Sequence, residues 1–227
     1  SRSGAQVATA SIDGTVRVWD ARSGKEIAKL APQVEGYGKP TRFQSIAWAP
    51  DGKLVAAGAQ DGSVRLIDAA SGAVVHTLLH HTSTIEEVVF SPDGRRLLVA
   101  SLDHTATLWD TETAGLVEVL RGHKEGLLCA TFAGDHRVVT GSDDRQARVW
   151  EIADGPFVRV LAGHTGSIDR LVASGDGAVL ASGATVRAFD PTVHAPKPGV
   201  PADVAIYADA YDAAKDADVL TVLTEWD

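Results

Sequence analysis

The stretch LLHHTSTIEEVVFSPDGRRLLVASLDHTATLWD, Leu78 to Asp110, decides the fold. Ser91-Pro92-Asp93-Gly94 stands between two apolar runs, IEEVVF (Ile85 to Phe90) and RLLVAS (Arg96 to Ser101). Pro presets φ for a tight turn and Gly supplies the positive φ that closes it, so the two runs read as strands joined at that turn. Asp103-His104 separates RLLVAS from a third run, ATLWD (Ala106 to Asp110), and LVEVL (Leu116 to Leu120) follows as a fourth. The unit therefore reads as four short strands with turn punctuation.

Outward from this stretch the same phrases recur. VRVWD (Val16 to Asp20), VRLID (Val64 to Asp68), ATLWD and ARVWE (Ala147 to Glu151) are related, and their closing acids lie 48, 42 and 41 positions apart. A weaker fifth copy, VRAFD, closes 39 positions later at Asp190. Asp13-Gly14, Asp61-Gly62, Asp103-His104 and Asp144-Arg145 precede the first four. AWAPDGKLVAAG (Ala47 to Gly58) and TFAGDHRVVTGS (Thr131 to Ser142) repeat the strand-and-turn phrase VFSPDGRRLLVAS. Gly122-His123 and Gly163-His164 each precede a unit, and His80-His81 takes that place before the third. Within VRVWD, Val16 and Val18 share one face while Arg17 and Trp19 share the other. A four-stranded unit of about 40 residues cannot bury both faces alone, whereas stacking such sheets around an axis does.

Composition agrees with a globular chain. Of 227 residues, 44% are hydrophobic and 22% charged, enough for a sizeable core. The longest apolar runs are about five residues, against roughly 20 for a membrane span, so no membrane association is expected. The net charge of −9, without a basic patch, argues against a nucleic-acid partner. The single cysteine, Cys129, excludes an intrachain disulfide and suits a reducing compartment. With no basic stretch leading into an apolar one at the start, the reading places the protein in the cytoplasm. Lacking Met, and with Gln6 to Ser11 already reading as a second strand, the chain reads as a fragment. About four and a half units make an unclosed ring, whose exposed sheet edges favour self-association.

These motifs, in this order and at this spacing, resemble WD-repeat β-propellers over roughly residues 4–183. The resemblance implies an all-β fold: a partial WD-repeat β-propeller of about four to five blades, open or incomplete. It also implies a buried network in each blade, formed by one His, one Ser or Thr, one Asp and one Trp. Carried onto this chain, those residues are His81, Ser101, Asp103 and Trp109 in the third unit and His123, Ser142, Asp144 and Trp150 in the fourth. The first unit keeps Ser11, Asp13 and Trp19, its Gly-His falling before Ser1. The second departs from the pattern: Ala59 and Ile67 stand where Ser and Trp would be, and no His precedes it. Its leading loop, APQVEGYGKPTRF (31–43), is longer and rich in Gly and Pro, so apolar packing is expected to hold that blade. A buried imidazole and carboxylate are costly unless they satisfy each other. Ser101, His81 and Asp103 can also be drawn as a catalytic triad. The same set recurs unit after unit, however, and a structural role explains that recurrence.

After Gly183 the pattern breaks, with Ser-Gly-Ala-Thr where the turn Asp belongs. The segment 184–203 reads as a Pro-rich linker, four of the nine prolines lying between Asp190 and Asp203. VAIYA (204–208), an Ala-rich helix over 208–218 capped by Asp209, and VLTVLTEW (219–226) suggest a small α/β, βαβ-like C-terminal tail over 204–227, with parallel strands. GATVRAFDPTV and YDAAKDADVLTVLTEWD resemble the C-terminal nucleotide-sugar domain of UDP-glucose dehydrogenases, over about residues 183–227. That resemblance implies a fused or recombined gene rather than activity, and VRAFD would then belong to the tail. No Gly-x-Gly-x-x-Gly follows a strand, and Cys129 sits in the apolar LLCATF.

Other constellations carry less. His76, His80 and His81 are close in sequence, but strand neighbours point to opposite faces, which disfavours a metal site. The Asp-rich stretch 203–218 lacks the spacing of a calcium loop. Cys129 reads as a buried, inert thiol. No catalytic residue, cofactor or metal is expected. The functional expectation is a non-enzymatic scaffold that binds a protein or peptide partner through rim loops. The residues named for contact are Thr82, Ser83, Leu102, Lys124, Glu125, Asp143 and Thr165, because loops on a rigid frame carry recognition. The alternative is a chimeric or fused fragment of an NAD-dependent UDP-glucose dehydrogenase, inactive as it stands.

Overall fold

The computed structural model describes residues 1–32, 34–35, 39–134, 136–152, 158–174, 179–182, 187–189, 205–207 and 219–222. They fall into two compact units, Ser1–Gly122 and His123–Asp227.

The first unit holds three antiparallel sheets whose strands follow one another in chain order. Sheet 1 comprises Gln6–Ala10, Val16–Asp20 and Glu26–Leu30, which correspond to the second, third and fourth strands of the two sheets that follow. Sheet 2 comprises Phe43–Trp48, Leu54–Ala59, Ser63–Asp68 and Val74–Leu79. Sheet 3 comprises Ile85–Phe90, Arg96–Ser101, Thr105–Asp110 and Leu116–Arg121. A two-residue ribbon, Val34–Glu35 with Lys39–Pro40, interrupts the loop leading into sheet 2.

Repeated turn chemistry builds each sheet. The acid closing the third strand accepts hydrogen bonds from the amide and hydroxyl three residues on: Asp20 from Ser23, Asp68 from Ser71, Asp110 from Thr113. This Asx turn starts the reversal into the fourth strand. Its last residue has positive φ, at Gly24, Gly72 and Ala114. A second repeated turn joins second and third strands, where Asp13, Asp61 and Asp103 accept the amide two residues on.

Alternation of side chains then stacks the sheets. Val16, Val18 and Leu30 of sheet 1 cluster with Phe43, Val55, Ala57 and Ile67 of sheet 2. The other face of sheet 2, with Ala56, Val64, Leu66 and Leu78, clusters with Leu97, Val99 and Trp109 of sheet 3. Arg17 and Trp19 take the opposite face from Val16 and Val18, as the period of two requires.

The second unit begins with sheet 4, comprising Leu127–Phe132, Arg137–Ser142, Gln146–Glu151 and Val158–Ala162. Cys129, Val139, Ala147 and Val149 cluster with Ile168, against which Leu171 and Ala173 also pack. Gly141 permits this approach, since a Cβ there would lie 2.6 Å from Cys129 Sγ and 2.7 Å from Ile168 Cγ2.

The tail differs from its sequence reading. Val219–Val222 pairs antiparallel with Val179–Ser182, which pairs with Leu171–Ala173, so a tail segment supplies the third strand of sheet 5. Arg187–Phe189 pairs in parallel with Ala205–Tyr207. The two tail strands expected to lie parallel to each other therefore take other partners. The compact units divide between sheets 3 and 4, and strand 219–222 lies with sheet 5 in the second. The linker prolines and the proposed helix over 208–218 lie outside the described residues, among which there is no helix.

Candidate functional site

The chemistry of the fold concentrates where the turn before each first strand meets the turn between second and third strands. In sheet 3 the indole Nε1–H of Trp109 donates to Thr107 Oγ1 at 2.8 Å. Thr107 Oγ1 lies 2.7 Å from His81 Nε2, and His81 Nδ1 lies 2.8 Å from Asp103 Oδ2. A carboxylate can only accept, so His81 Nδ1 carries the hydrogen. The Thr107 hydroxyl then donates to Nε2, and every group in the chain has a partner with the imidazole neutral. Asp103 Oδ2 also accepts the Thr82 amide at 3.1 Å, while Oδ1 accepts the Thr105 amide and hydroxyl.

Sheet 4 repeats the arrangement. Trp150 Nε1–H donates to Thr140 Oγ1 at 2.9 Å, Thr140 Oγ1 lies 2.8 Å from His123 Nε2, and His123 Nδ1 lies 2.9 Å from Asp144 Oδ2. Asp144 Oδ2 accepts the Lys124 amide at 3.0 Å. The linking hydroxyl, however, comes from a different strand. In sheet 3 the cross-strand pair is Val99 with Thr107; at the same place in sheet 4 it is Thr140 with Arg148. The oxygen sits on the third strand in one sheet and on the second in the other.

The oxygen between imidazole and indole is thus a threonine's, and Ser101 and Ser142 join the network at its Asp instead. Each hydroxyl donates to a rim carbonyl, Ser83 O or Glu125 O, and accepts the amide of Asp103 or Asp144. They brace the turn, two residues too far along the strand to face the imidazole. The Ser101 hydroxyl is thus directed at a backbone carbonyl and not at His81. Sheet 1 keeps the indole end, with Trp19 Nε1–H donating to Thr9 Oγ1 at 2.9 Å, and here too the hydroxyl is a threonine rather than Ser11. Ser11 instead accepts the Asp13 amide, and Asp13 holds Thr15. In sheet 2 the Thr41 hydroxyl donates to Asp61 Oδ2, and Ala59 and Ile67 are buried in the apolar cluster. His164 lies 2.7 Å from the buried Ser182 hydroxyl, a contact sequence reading passed over because the turn Asp is missing there.

Electrostatics follow from burial. Burial holds the His81 and His123 imidazoles below their ordinary range, outweighing the adjacent carboxylates. His80 and Arg121 push His81 the same way, as Arg148 does His123. Burial by itself would raise the Asp103 and Asp144 carboxyls. The Thr105 hydroxyl, His81 and the Thr82 amide outweigh it for Asp103, and the Lys124 amide and His123 for Asp144, so both lie below the usual carboxylate range.

The rim residues named from sequence sit around these networks. Thr82, Lys124, Glu125, Asp143 and Thr165 are exposed, while Ser83 and Leu102 are half-buried. Their backbone is tied down: Leu102 donates its amide to Thr84 O, and Asp143 to Gly126 O. Cys129 is 2% exposed and its Sγ–H donates to Ile168 O at 3.2 Å. Among the described residues no three His, Cys, Asp or Glu side chains gather as a metal site, and no helix is long and apolar enough to cross a membrane.

Comparison with known proteins agrees with this geometry. Residues 31–83 match the family described as anaphase-promoting complex subunit 4 WD40 domain. Residues 1–20, 72–110 and 115–151 match the family described as WD domain, G-beta repeat. No curated protein matches the chain significantly. The matched spans lie on sheets 1 to 4 and contain His81, Asp103, Trp109, His123, Asp144 and Trp150, and over them the chain carries WD repeats.

Proposed function

We propose that this chain is a non-enzymatic protein-interaction scaffold of the cytoplasm, binding a peptide or protein partner through rim loops, with Thr82, Ser83 and Leu102 in the first unit and Lys124, Glu125, Asp143 and Thr165 in the second. One observation carries the reading: backbone in these loops is pinned by the half-buried Asp103 and Asp144 carboxylates while five of the seven residues are exposed. A recognition surface needs that combination, since ordering loops in advance lowers the entropic cost of association. The WD repeats support the scaffold class. In the test, a random peptide library is selected on the immobilised chain and the binders are measured by fluorescence anisotropy. Lys124→Glu and Asp143→Lys are expected to weaken the selected peptides roughly tenfold, with Glu112→Lys, beyond the far end of the strands, as the control. Equal binding by all variants overturns the rim assignment.

A second reading has one observation of its own. The pairing of Arg187–Phe189 with Ala205–Tyr207 is parallel, whereas the strand pairs of sheets 1 to 4 are antiparallel. Parallel pairing is the habit of α/β nucleotide-binding folds, which favours the tail as a segment acquired from a nucleotide-sugar dehydrogenase. Incubation with UDP-glucose and NAD is expected to give no turnover. Turnover would replace the scaffold reading with an enzymatic one.

A further inference from the structure

The two buried chains end at the rim. In each, the carboxylate oxygen that receives the imidazole Nδ1–H also receives one backbone amide, that of the residue directly after the histidine. Those residues, Thr82 and Lys124, are two of the exposed positions assigned above to partner contact. A continuous hydrogen-bonded path thus runs from a buried indole, through a threonine and an imidazole, to the backbone of the rim.

We propose that Thr107 and Thr140 are positioning residues for the rim: each fixes its histidine as the neutral tautomer with the proton on Nδ1, so that protonating the histidine, or removing the hydroxyl, loosens the Thr82 or Lys124 amide. The proposal rests on the rim being the binding surface, and makes that surface sensitive to acid.

The hydrogen count gives the reason. Threonine oxygen accepts from the indole and donates its own hydrogen to Nε2. A protonated Nε2 becomes a donor, so the hydroxyl must accept twice and its hydrogen is left without an acceptor in a buried place. His81 and His123 are each 8% exposed, and Thr107 and Thr140 are fully buried, so water does not relieve this. The charged and titratable groups acting on His81 are Asp103, His80 and Arg121; those acting on His123 are Asp144 and Arg148. Arg121 near His81 and Arg148 near His123 disfavour a further positive charge, and burial acts in the same sense. Sheet 2 supplies an internal control. Its Asp61 is held by the Thr41 hydroxyl rather than by an imidazole.

The test is hydrogen exchange of the whole chain, read by NMR as protection factors so that the intrinsic pH dependence of exchange is removed. Thr107→Val is expected to lower protection at the Thr82 amide roughly tenfold, leaving the Ser63 amide of sheet 2 unchanged. Thr107→Ser restores protection. So does the pair Val99→Thr with Thr107→Val, which moves the oxygen to the strand that carries it in sheet 4. In the unsubstituted chain, protection at Thr82 and Lys124 falls as pH drops below the ordinary imidazole range, while that at Ser63 does not. Equal losses at Thr82 and Ser63 in Thr107→Val, or a flat pH profile at Thr82, overturn the proposal. Neither readout needs a partner, so failure of the binding experiment and failure of this one are separate results.

Discussion

Sheet 2 and sheet 4 have the same order of four antiparallel strands and the same bulge in the first strand, at Phe43/Ser45 and Leu127/Cys129, yet different interiors. Sheet 4 buries an indole, a threonine, an imidazole and a carboxylate in one hydrogen-bonded chain. Sheet 2 has Ile67 where the indole would be, Ala57 where the threonine would be, and no histidine in the loop before its first strand, and it packs Ile67 and Ala57 against Val16, Val18 and Phe43. The backbone architecture therefore does not depend on the polar chain. What the chain adds is local: it gives the loop before the first strand a buried side-chain tie to the turn after the second, where sheet 2 has the longer Thr41 to Asp61 contact of 3.4 Å beside the backbone bond from Gln60 to Arg42.

The comparison can be broken by substitution. Trp150→Ala removes a 4% exposed indole and leaves a large cavity, and a loss of about 3–5 kcal/mol is expected in urea unfolding. Ile67→Ala in sheet 2 should lose less, about 2–4 kcal/mol, with no change in the pH dependence of stability. A steeper pH profile for Ile67→Ala would mean that sheet 2 holds a titrating contact of its own.

Acid sharpens the contrast. His81 and His123 have folded-state values below the ordinary 6.5, so the unfolded chain binds protons first. Stability is fully present above about pH 6.5 and declines as pH falls from there toward the folded values. Asp103 and Asp144, held below 3.8, give a second decline that starts near that value and continues as pH falls through their folded values. Thermal melts of His81→Leu with His123→Leu, taken from pH 7 down to pH 2, should lose the first decline and keep the second. A double variant with the unsubstituted profile would place the upper titration elsewhere.

The smallest effect concerns the turns. Gly14 and Gly62 have φ of +84° and +86°; at the same place His104 and Arg145 have +72° and +67°. Side chains other than Gly are strained in this region. His104→Gly and Arg145→Gly are each expected to stabilise by about 0.5–1 kcal/mol, measured as a raised urea midpoint.

Much of this was legible in the residues. Pro-Asp-Gly, Asp-Gly and the closing acids are local signals, and the turns they mark have the hydrogen bonds that such residues make within a few positions. The pairing of His81 with Asp103 and His123 with Asp144 was legible through the resemblance. The linking threonines were not. Thr107 and Thr140 occupy different columns of the repeat, so neither stands out until the cross-strand register puts both beside an imidazole. The tail was illegible for a related reason. The pairing of Val219–Val222 with Val179–Ser182 spans some 40 residues and carries no turn motif. The local pattern of Arg187–Phe189 pointed to a third strand of sheet 5 that 219–222 forms instead.

The migration of one oxygen between strands has a consequence for how such repeats diverge. A threonine on both strands would offer two hydroxyls to a single ring nitrogen, and a threonine on neither would leave that nitrogen bare. The two sites must therefore exchange in concert. Comparing repeats column by column would score both as variable, although the atom they deliver occupies the same spot each time.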